Sequence, residues 1–426
     1  MVSYWMHWAS GVTFILSLLA LAPLAERLGF VTEQLAMHTN ETIGGLLNAT
    51  FGNATELIVA ITALKRGLFR LVQLSLLGSI LSNMLLVLGT AFWVGGYYHK
   101  IQKFGTISSQ INSTLLMIAT MGILFPTILT NSAEEDNAEE LGYSRGTSIV
   151  LFLLYFAFLY FQLFSHKFLY EERPEETEKL KESMMDPKLV DTHPKGSDRA
   201  FAPVNRVLSR GNSVTSQERQ GSLTSTGYLS TEDAALRLHP AIEEGVDGFM
   251  AKGGSVEDEE DEEEEEEDML GLNWALFWLA IMTVFIAILS DAISGSIEEA
   301  AEGAGISKVF LAAIVLPIVG NAAEHAGAVM FAAKGKLDLS LGVAIGSSTQ
   351  IGLCVLPLLV IIGWIGGYDL SLNFGDFESA TLFLSVVAVT FAIKDGYSNW
   401  MLGISLVFAY IIIAMGFWAH HDEELR

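Results

Sequence analysis

Apolar runs of about 20 residues recur along both halves of the chain, and no other feature narrows its fold as far. A bilayer core about 30 Å thick needs runs of that length, whereas water-soluble folds rarely use them. The alternation of apolar and polar residues over about 10 positions that marks a membrane barrel is absent. A chain of 426 residues, 51% hydrophobic and 17% charged, therefore reads as an all-α polytopic membrane protein. The first apolar run has no basic segment ahead of it and no small-residue cleavage site behind it, so it reads as a span and not as a signal peptide. The single cysteine, Cys354, excludes an internal disulfide.

About ten transmembrane helices are expected, over 9–28, 41–64, 71–98, 107–129 and 146–168, then 273–289, 307–333, 339–364, 377–393 and 400–418. Val31 to Asn40 reads as a polar connection, and Ser296 to Gly303 as an acidic amphipathic stretch separate from the sixth span. The second span holds Gly44, Gly45, Asn48, Gly52, Asn53 and Glu56. Small residues let membrane helices approach closely, so this span is expected at the centre of the bundle. The third carries Gly78, Ser79, Ser82 and Asn83 and leaves the bilayer through Trp93, Tyr97 and Tyr98, as interfacial aromatics do. The fifth, aromatic and nearly free of polar groups, is expected to face lipid.

Residues 170–269 lose all apolar periodicity and are dominated by Ser, Glu, Lys, Gly and Pro, the composition of a disordered segment. Ser209, Ser213 and Ser222 lie near Arg210 and Arg219, a setting open to phosphorylation as well as to a plain solvated linker. The net charge of −25 is concentrated at the end of this segment, where Glu257, Asp258, Glu259, Glu260, Asp261 and Glu262 begin an unbroken run of twelve carboxylates that closes at Asp268. Such a run attracts cations, and it also serves as a spacer. The chain thus divides into a first transmembrane half, 1–169, a linker, 170–269, and a second transmembrane half, 270–426.

The halves are related. Laying Gly52-Asn53-Ala54-Thr55-Glu56 on Gly320-Asn321-Ala322-Ala323-Glu324 also superposes Gly67 on Gly335, Gly78-Ser79 on Gly346-Ser347 and Leu85 on Leu353, with twelve identities over 38 gapless positions. Five spans per half is an odd number, so two halves of one fold enter the membrane from opposite sides. Two inverted five-helix repeats of this kind are common in secondary transporters, with the site near the midplane. Short-loop charge gives the orientation: Arg27, Lys100, Lys103, Lys167, Arg173, Lys334, Lys336 and Lys394 fall on one side, against Lys65, Arg66, Arg70, Arg145 and Lys308 on the other. The positive-inside tendency makes the first side, with the linker, cytosolic.

An ionisable residue inside a span is costly enough to read as functional, and Glu56 and Glu324 are two of them in repeated contexts. Neither span offers a Lys or Arg partner within the membrane. On a continuous helix Asn53 would share a face with Glu56, and Asn321 with Glu324. Carboxylate and amide oxygens suit a hard divalent cation, with backbone carbonyls near Gly52 and Gly320 completing the shell. Burial and mutual repulsion both favour the protonated form of a carboxylate, so protons and cation would compete for one place. His325 reads as a group that accepts a further proton or orients Glu324, or else as a packing histidine bonded to a carbonyl. Ser79, Ser82, Asn83, Ser347 and Gln350 are secondary ligand candidates, although polar residues in spans often only fasten helices. The acceptor patterns Asn48-Ala49-Thr50 and Asn53-Ala54-Thr55 fall within a span and carry no glycosylation meaning.

The run Gly44-Gly45-Leu46-Leu47-Asn48-Ala49-Thr50-Phe51-Gly52-Asn53-Ala54-Thr55-Glu56-Leu57-Ile58 resembles the first repeat motif of the vacuolar-type calcium/proton exchangers, a branch of the calcium/cation antiporter superfamily. Pro317-Ile318-Val319-Gly320-Asn321-Ala322-Ala323-Glu324-His325 resembles the second, and Gly78 to Asn83, Gly346 to Gln350, Ser144 to Ser148 and Tyr160 to Leu163 add to the likeness. The resemblance implies exchange of cytosolic calcium for lumenal protons across an acidic organelle membrane, with Glu56 and Glu324 binding the two in turn. It implies a calcium-gathering or regulatory part for the acidic run. The chain differs in showing no further apolar segment before the ten core spans and in its long loop. Expected partners are calcium, protons and the bilayer, with manganese a related cargo, no nucleic acid and an oligomer left open. No cofactor is expected. Neither a P-loop nor a His-Glu-x-x-His pattern is present, which leaves a sodium-coupled exchanger and, more remotely, a cation channel as the rival readings.

Overall fold

The computed structural model describes residues 9–39, 41–132, 137–167 and 270–420. The described residues form one compact unit. The linker, with its serines and the whole acidic run, lies outside the described residues. Helix α1 spans Ser10–Met37, α2 Glu41–Phe51, α3 Ala54–Lys65, α4 Phe69–Tyr98, α5 Thr106–Ser132 and α6 Asn137–Tyr160 with a π-helical turn to Ser165. In the second half α7 spans Leu272–Ala304, α8 Lys308–Gly320, α9 Ala322–Ala333, α10 Leu337–Gly366, α11 Asp376–Ile393 and α12 Trp400–Ala419.

Among the described residues eight single helices are long and apolar enough to cross a bilayer, and α8 with α9, bent by 54°, makes nine. The first-half counterpart of that pair is α2 with α3, which completes five spans per half. The repeat is legible in the element ends. Ala54–Lys65 matches Ala322–Ala333 and Phe69–Tyr98 matches Leu337–Gly366, a separation of 268 residues at all four ends. The turns between these helices repeat too, Gly67 and Gly335 taking φ of 74° and 78°, a left-handed conformation open to glycine at no steric cost.

Several expectations change. The second and seventh spans are not continuous helices: each breaks at its Gly-Asn pair, with Asn53 at φ −110°, ψ 24° and Asn321 at φ −92°, ψ 15°. These angles lie near the sparsely populated bridge region where many functional residues sit. Glycine weakens the helix there, and asparagine competes for its backbone bonds. The first span runs on through the expected polar connection to Met37, and α7 absorbs the acidic stretch up to Ala304. The centre of the bundle is α4 and not the second span, for 94% of the apolar window of α4 is buried, against 28% for α6. The low burial of α6 agrees with a lipid-facing fifth span.

Contacts between the halves sort the loops onto two faces. On one, a two-residue ladder pairs Gln102 with Ser398 and Lys103 with Tyr397. There Gln102 Nε2 donates to the Ala332 carbonyl at 2.8 Å and Asp338 accepts the Gly105 N–H at 2.7 Å. On the other, Arg66 pairs with Asp291 at 2.7 Å and Arg145 with Asp369 at 3.3 Å, Arg70 binds Glu378 and the Phe374 carbonyl, and within the second half Lys308 pairs with Glu302 at 3.2 Å. These are the two loop sets that an inverted repeat predicts. Small residues hold the spans together: a Cβ on Gly403 of α12 would stand 2.2 Å from Trp93 N and 2.6 Å from Gly89 O of α4, so only a glycine allows this approach.

The ion pairs differ in weight. Glu378 is 2% exposed and Arg70 15%, whereas Arg66 and Asp291 are 35% and 40% exposed. Glu378→Gln is expected to lower stability by about 3–5 kcal/mol, as breaking a buried pair does, and Asp291→Asn by about 1 kcal/mol or less. Thermal unfolding of the two purified variants, side by side in detergent, checks the ranking.

Candidate cation site

Glu56 lies in the first turn of α3 and Glu324 in the first turn of α9, where the positive end of a helix dipole favours a carboxylate. The asparagine before each helix does not cap it with its own side chain. Each reaches instead into the opposite half. Asn53 Nδ2 donates to Gln350 Oε1 at 2.6 Å, and Asn53 Oδ1 accepts from Ser347 Oγ at 2.8 Å, both partners on α10. Asn321 Nδ2 donates to Asn83 Oδ1 at 3.0 Å and to the Ser79 carbonyl at 3.4 Å, both on α4. Each motif is therefore held by the Gly-Ser helix of the other repeat, and the pseudo-twofold relation becomes one continuous cluster.

Glu324 sits inside that cluster. Its Oε2 accepts from Asn83 Nδ2 at 2.8 Å and its Oε1 faces Ser347 Oγ at 3.2 Å. The single Ser347 proton is shared between Glu324 and the closer Asn53 oxygen. Glu56 differs, for its Oε2 is buried with no hydrogen-bond partner, as is Asn321 Oδ1. Neither glutamate has a Lys, Arg or His counter-ion among the described residues. Buried polar oxygens are normally satisfied. Here the amide protons are spent within the cluster, leaving two acceptor oxygens for a cation or a proton. Glu56 and Asn321 together line a small pocket of about 20 Å³, the room of one water-sized body, walled by Thr55, Val59, Ser75, Leu76, Ser79, Leu21, Leu316, Pro317 and Gly320.

The expected residues are gathered unevenly. Asn53, Asn321, Asn83, Ser347, Gln350 and Glu324 are joined by hydrogen bonds, Ser79 contributes its carbonyl, and Gly320 lines the pocket. Gly52 stands at the helix break and is exposed. Ser82 is buried beside the Tyr410 hydroxyl of α12, and no hydrogen bond joins it to the carboxylates. His325 does not orient Glu324. One residue further along α9 it points elsewhere, and its Nε2 meets Thr90 Oγ1 of α4 at 2.8 Å. Thr90, Thr55 and Ser75 were not singled out by the sequence. Ser75 stands one helical turn before Ser79, so helical spacing from the Gly-Ser pair would have reached it. Among the described residues no three His, Cys, Asp or Glu side chains gather as a metal cluster, so a cation would rest on two carboxylates with amide, hydroxyl and carbonyl oxygens. That donor set fits hard cations. π-helical turns at Ser82–Val87, Leu311–Val315, Gly342–Gly346 and Ile351–Val355 surround the cluster, as π-bulges do at many functional sites.

Two inverted repeats that cross at a buried carboxylate pair define a membrane cation exchanger. Residues 9–164 and 274–419 match the sodium/calcium exchanger protein family, and the chain belongs to that family. It is 42% identical over 418 residues to vacuolar cation/proton exchanger 3 of Oryza sativa subsp. japonica, covering 97% of this chain and 82% of that one. Vacuolar cation/proton exchanger 2 of Arabidopsis thaliana is 41% identical over 421 residues, covering 98% and 78%. The structure of YfkE, described as a Ca2+/H+ antiporter, superposes with a TM-score of 0.67 at 29% identity over 98% of this chain and 96% of that one.

Proposed function

We propose that the protein is a secondary antiporter that exchanges cytosolic calcium for lumenal protons across the vacuolar or another acidic endomembrane, with the linker on the cytosolic side. Glu56 and Glu324 bind calcium and protons in turn. The observation that carries this reading is the pair of buried, unpartnered acceptor oxygens, Glu56 Oε2 and Asn321 Oδ1, in a pocket between the halves with no basic side chain to satisfy them. Calcium supplies the missing positive charge with loose oxygen coordination, and protons replace it when it leaves. Coupling then needs no separate device, because the two occupants exclude one another while the site opens to one face and then the other. The names of the relatives and of the YfkE structure support the same chemistry.

Reconstituted vesicles test the reading. Calcium uptake is expected when the interior is acid, and not when an outwardly directed sodium gradient replaces the proton gradient. Uptake driven by sodium would assign the protein a different counter-ion. Uptake persisting with neither gradient would make it a channel.

A further inference from the structure

The pocket beside Glu56 holds more oxygen than the two repeat motifs supply. Ser75 of α4 lines it, 8% exposed, and lies outside both motifs. Its hydroxyl proton goes to the Val72 carbonyl at 3.1 Å, which leaves the oxygen lone pairs to face a ligand. In the same pocket are Glu56 Oε2 and Asn321 Oδ1, both buried and unpartnered. Three acceptor oxygens in a small enclosure present the surface of a cation ligand set.

The pocket also has a direction. Ser75 precedes Ser79 by four residues, about 6 Å along a helix axis, toward the end of α4 where Arg70 binds Glu378. Leu316 and Pro317 precede Gly320 on α8, which begins at Lys308 on that same face. The space therefore continues from the cluster toward the face that carries Arg66 and Arg70. Its two hydroxyls are not repeated in the other half, where the positions equivalent to Ser75 and Thr55 are Val343 and Ala323. On that side the carboxylate, Glu324, is already bonded by Asn83 and Ser347.

We propose that Ser75 Oγ is a further ligand in this pocket beside Glu56 and Asn321, on the side toward the face that carries Arg66 and Arg70, and that it sets which cation is accepted. The inference rests on the exchange reading above and adds to it a specificity-determining residue. A hard hydroxyl oxygen one turn beyond Ser79 favours calcium, and a soft sulfur in its place favours a soft cation.

The test uses the full-length protein carrying Ser75→Ala or Ser75→Cys. Ser75→Ala is expected to raise the calcium concentration for half-maximal uptake about tenfold, the loss of one oxygen ligand, with the rate at saturating calcium unchanged. Ser75→Cys is expected to make uptake about tenfold more sensitive to cadmium. The purified Cys variant is expected to show a cadmium–thiolate absorption band that the parental protein, with Cys354 alone, lacks. Parental half-saturation in Ser75→Ala, or a lower rate with parental half-saturation, overturns the ligand role. So does a Cys variant without the band. Because the band is read on purified protein, it decides this inference even where parental calcium uptake fails and the exchange reading falls.

Discussion

Glu56→Gln and Glu324→Gln are each expected to lower acid-driven calcium uptake by on the order of a hundredfold or more. Either change keeps the volume and removes one of the two charges that a divalent ion requires in a dry site, a loss of about 3–5 kcal/mol where a buried charge is left without its partner. The double variant is expected to be no worse than the singles, because the two carboxylates act as one unit. The variants also differ in a way that the geometry fixes. Gln at 324 turns an amide N–H₂ or a neutral carbonyl toward Asn83 Nδ2 and Ser347 Oγ, disturbing the cluster as well as the charge. Gln at 56 enters a place with an unpartnered oxygen, where nothing is displaced. Glu324→Gln is therefore expected to lose thermal stability and Glu56→Gln to keep it, measured on purified protein beside the transport assay. Parental uptake rates in both variants would remove the glutamates from the mechanism.

The second large effect is expected at Gly78. A Cβ there would stand 2.1 Å from the Ala313 carbonyl oxygen and 2.6 Å from Pro317 Cγ, contacts that can be relieved only by moving α8 away from α4. Pro317 has no N–H to give to the carbonyl four residues back, which is that of Ala313, so this oxygen is free to meet the bare Cα of Gly78. Gly78→Ala is expected to destabilise the protein by about 3 kcal/mol, the upper range of overpacking, and to abolish transport by separating Asn321 from Asn83. The repeat supplies its own control. Gly346, the equivalent residue, has no atom within 4 Å of its added Cβ, and Gly346→Ala is expected to be neutral or stabilising by about 0.5–1 kcal/mol, as for a glycine within a helix. Yield and melting temperature of the two variants, prepared together, check the contrast.

Much of this arrangement is legible before any coordinates, because membrane thickness sets span length and the duplication sets the pairing of motifs. The 268-residue register read from identities is the register of the helix ends. What the pattern of residues cannot show is where a helix gives way. Gly52-Asn53 and Gly320-Asn321 sit within apolar runs that read as continuous, and the break appears only when the asparagine side chains find partners across the molecule. The same break undoes the expectation that Asn53 and Glu56 share one helical face. Asn83 ranks below the motif residues because polar residues in spans often only fasten helices, yet it bonds both Asn321 and Glu324. His325 was drawn toward its neighbour in sequence, and a helix sends adjacent residues about 100° apart. The glycines that put α4 at the centre were visible, but in the third span, while attention to Gly44 and Gly45 favoured the second.

The exchange of partners between Asn53 with α10 and Asn321 with α4 also bears on how such a chain assembles. A single half carries one motif carboxylate, one motif asparagine and one Gly-Ser helix, each waiting for its complement from a copy turned upside down in the bilayer. Joining the halves converts that encounter from a collision between two molecules into a folding step within one. The fused chain can then let its two halves drift apart in sequence. Ser75 opposite Val343 and Asn83 opposite Ile351 are differences that two identical copies could never hold at once.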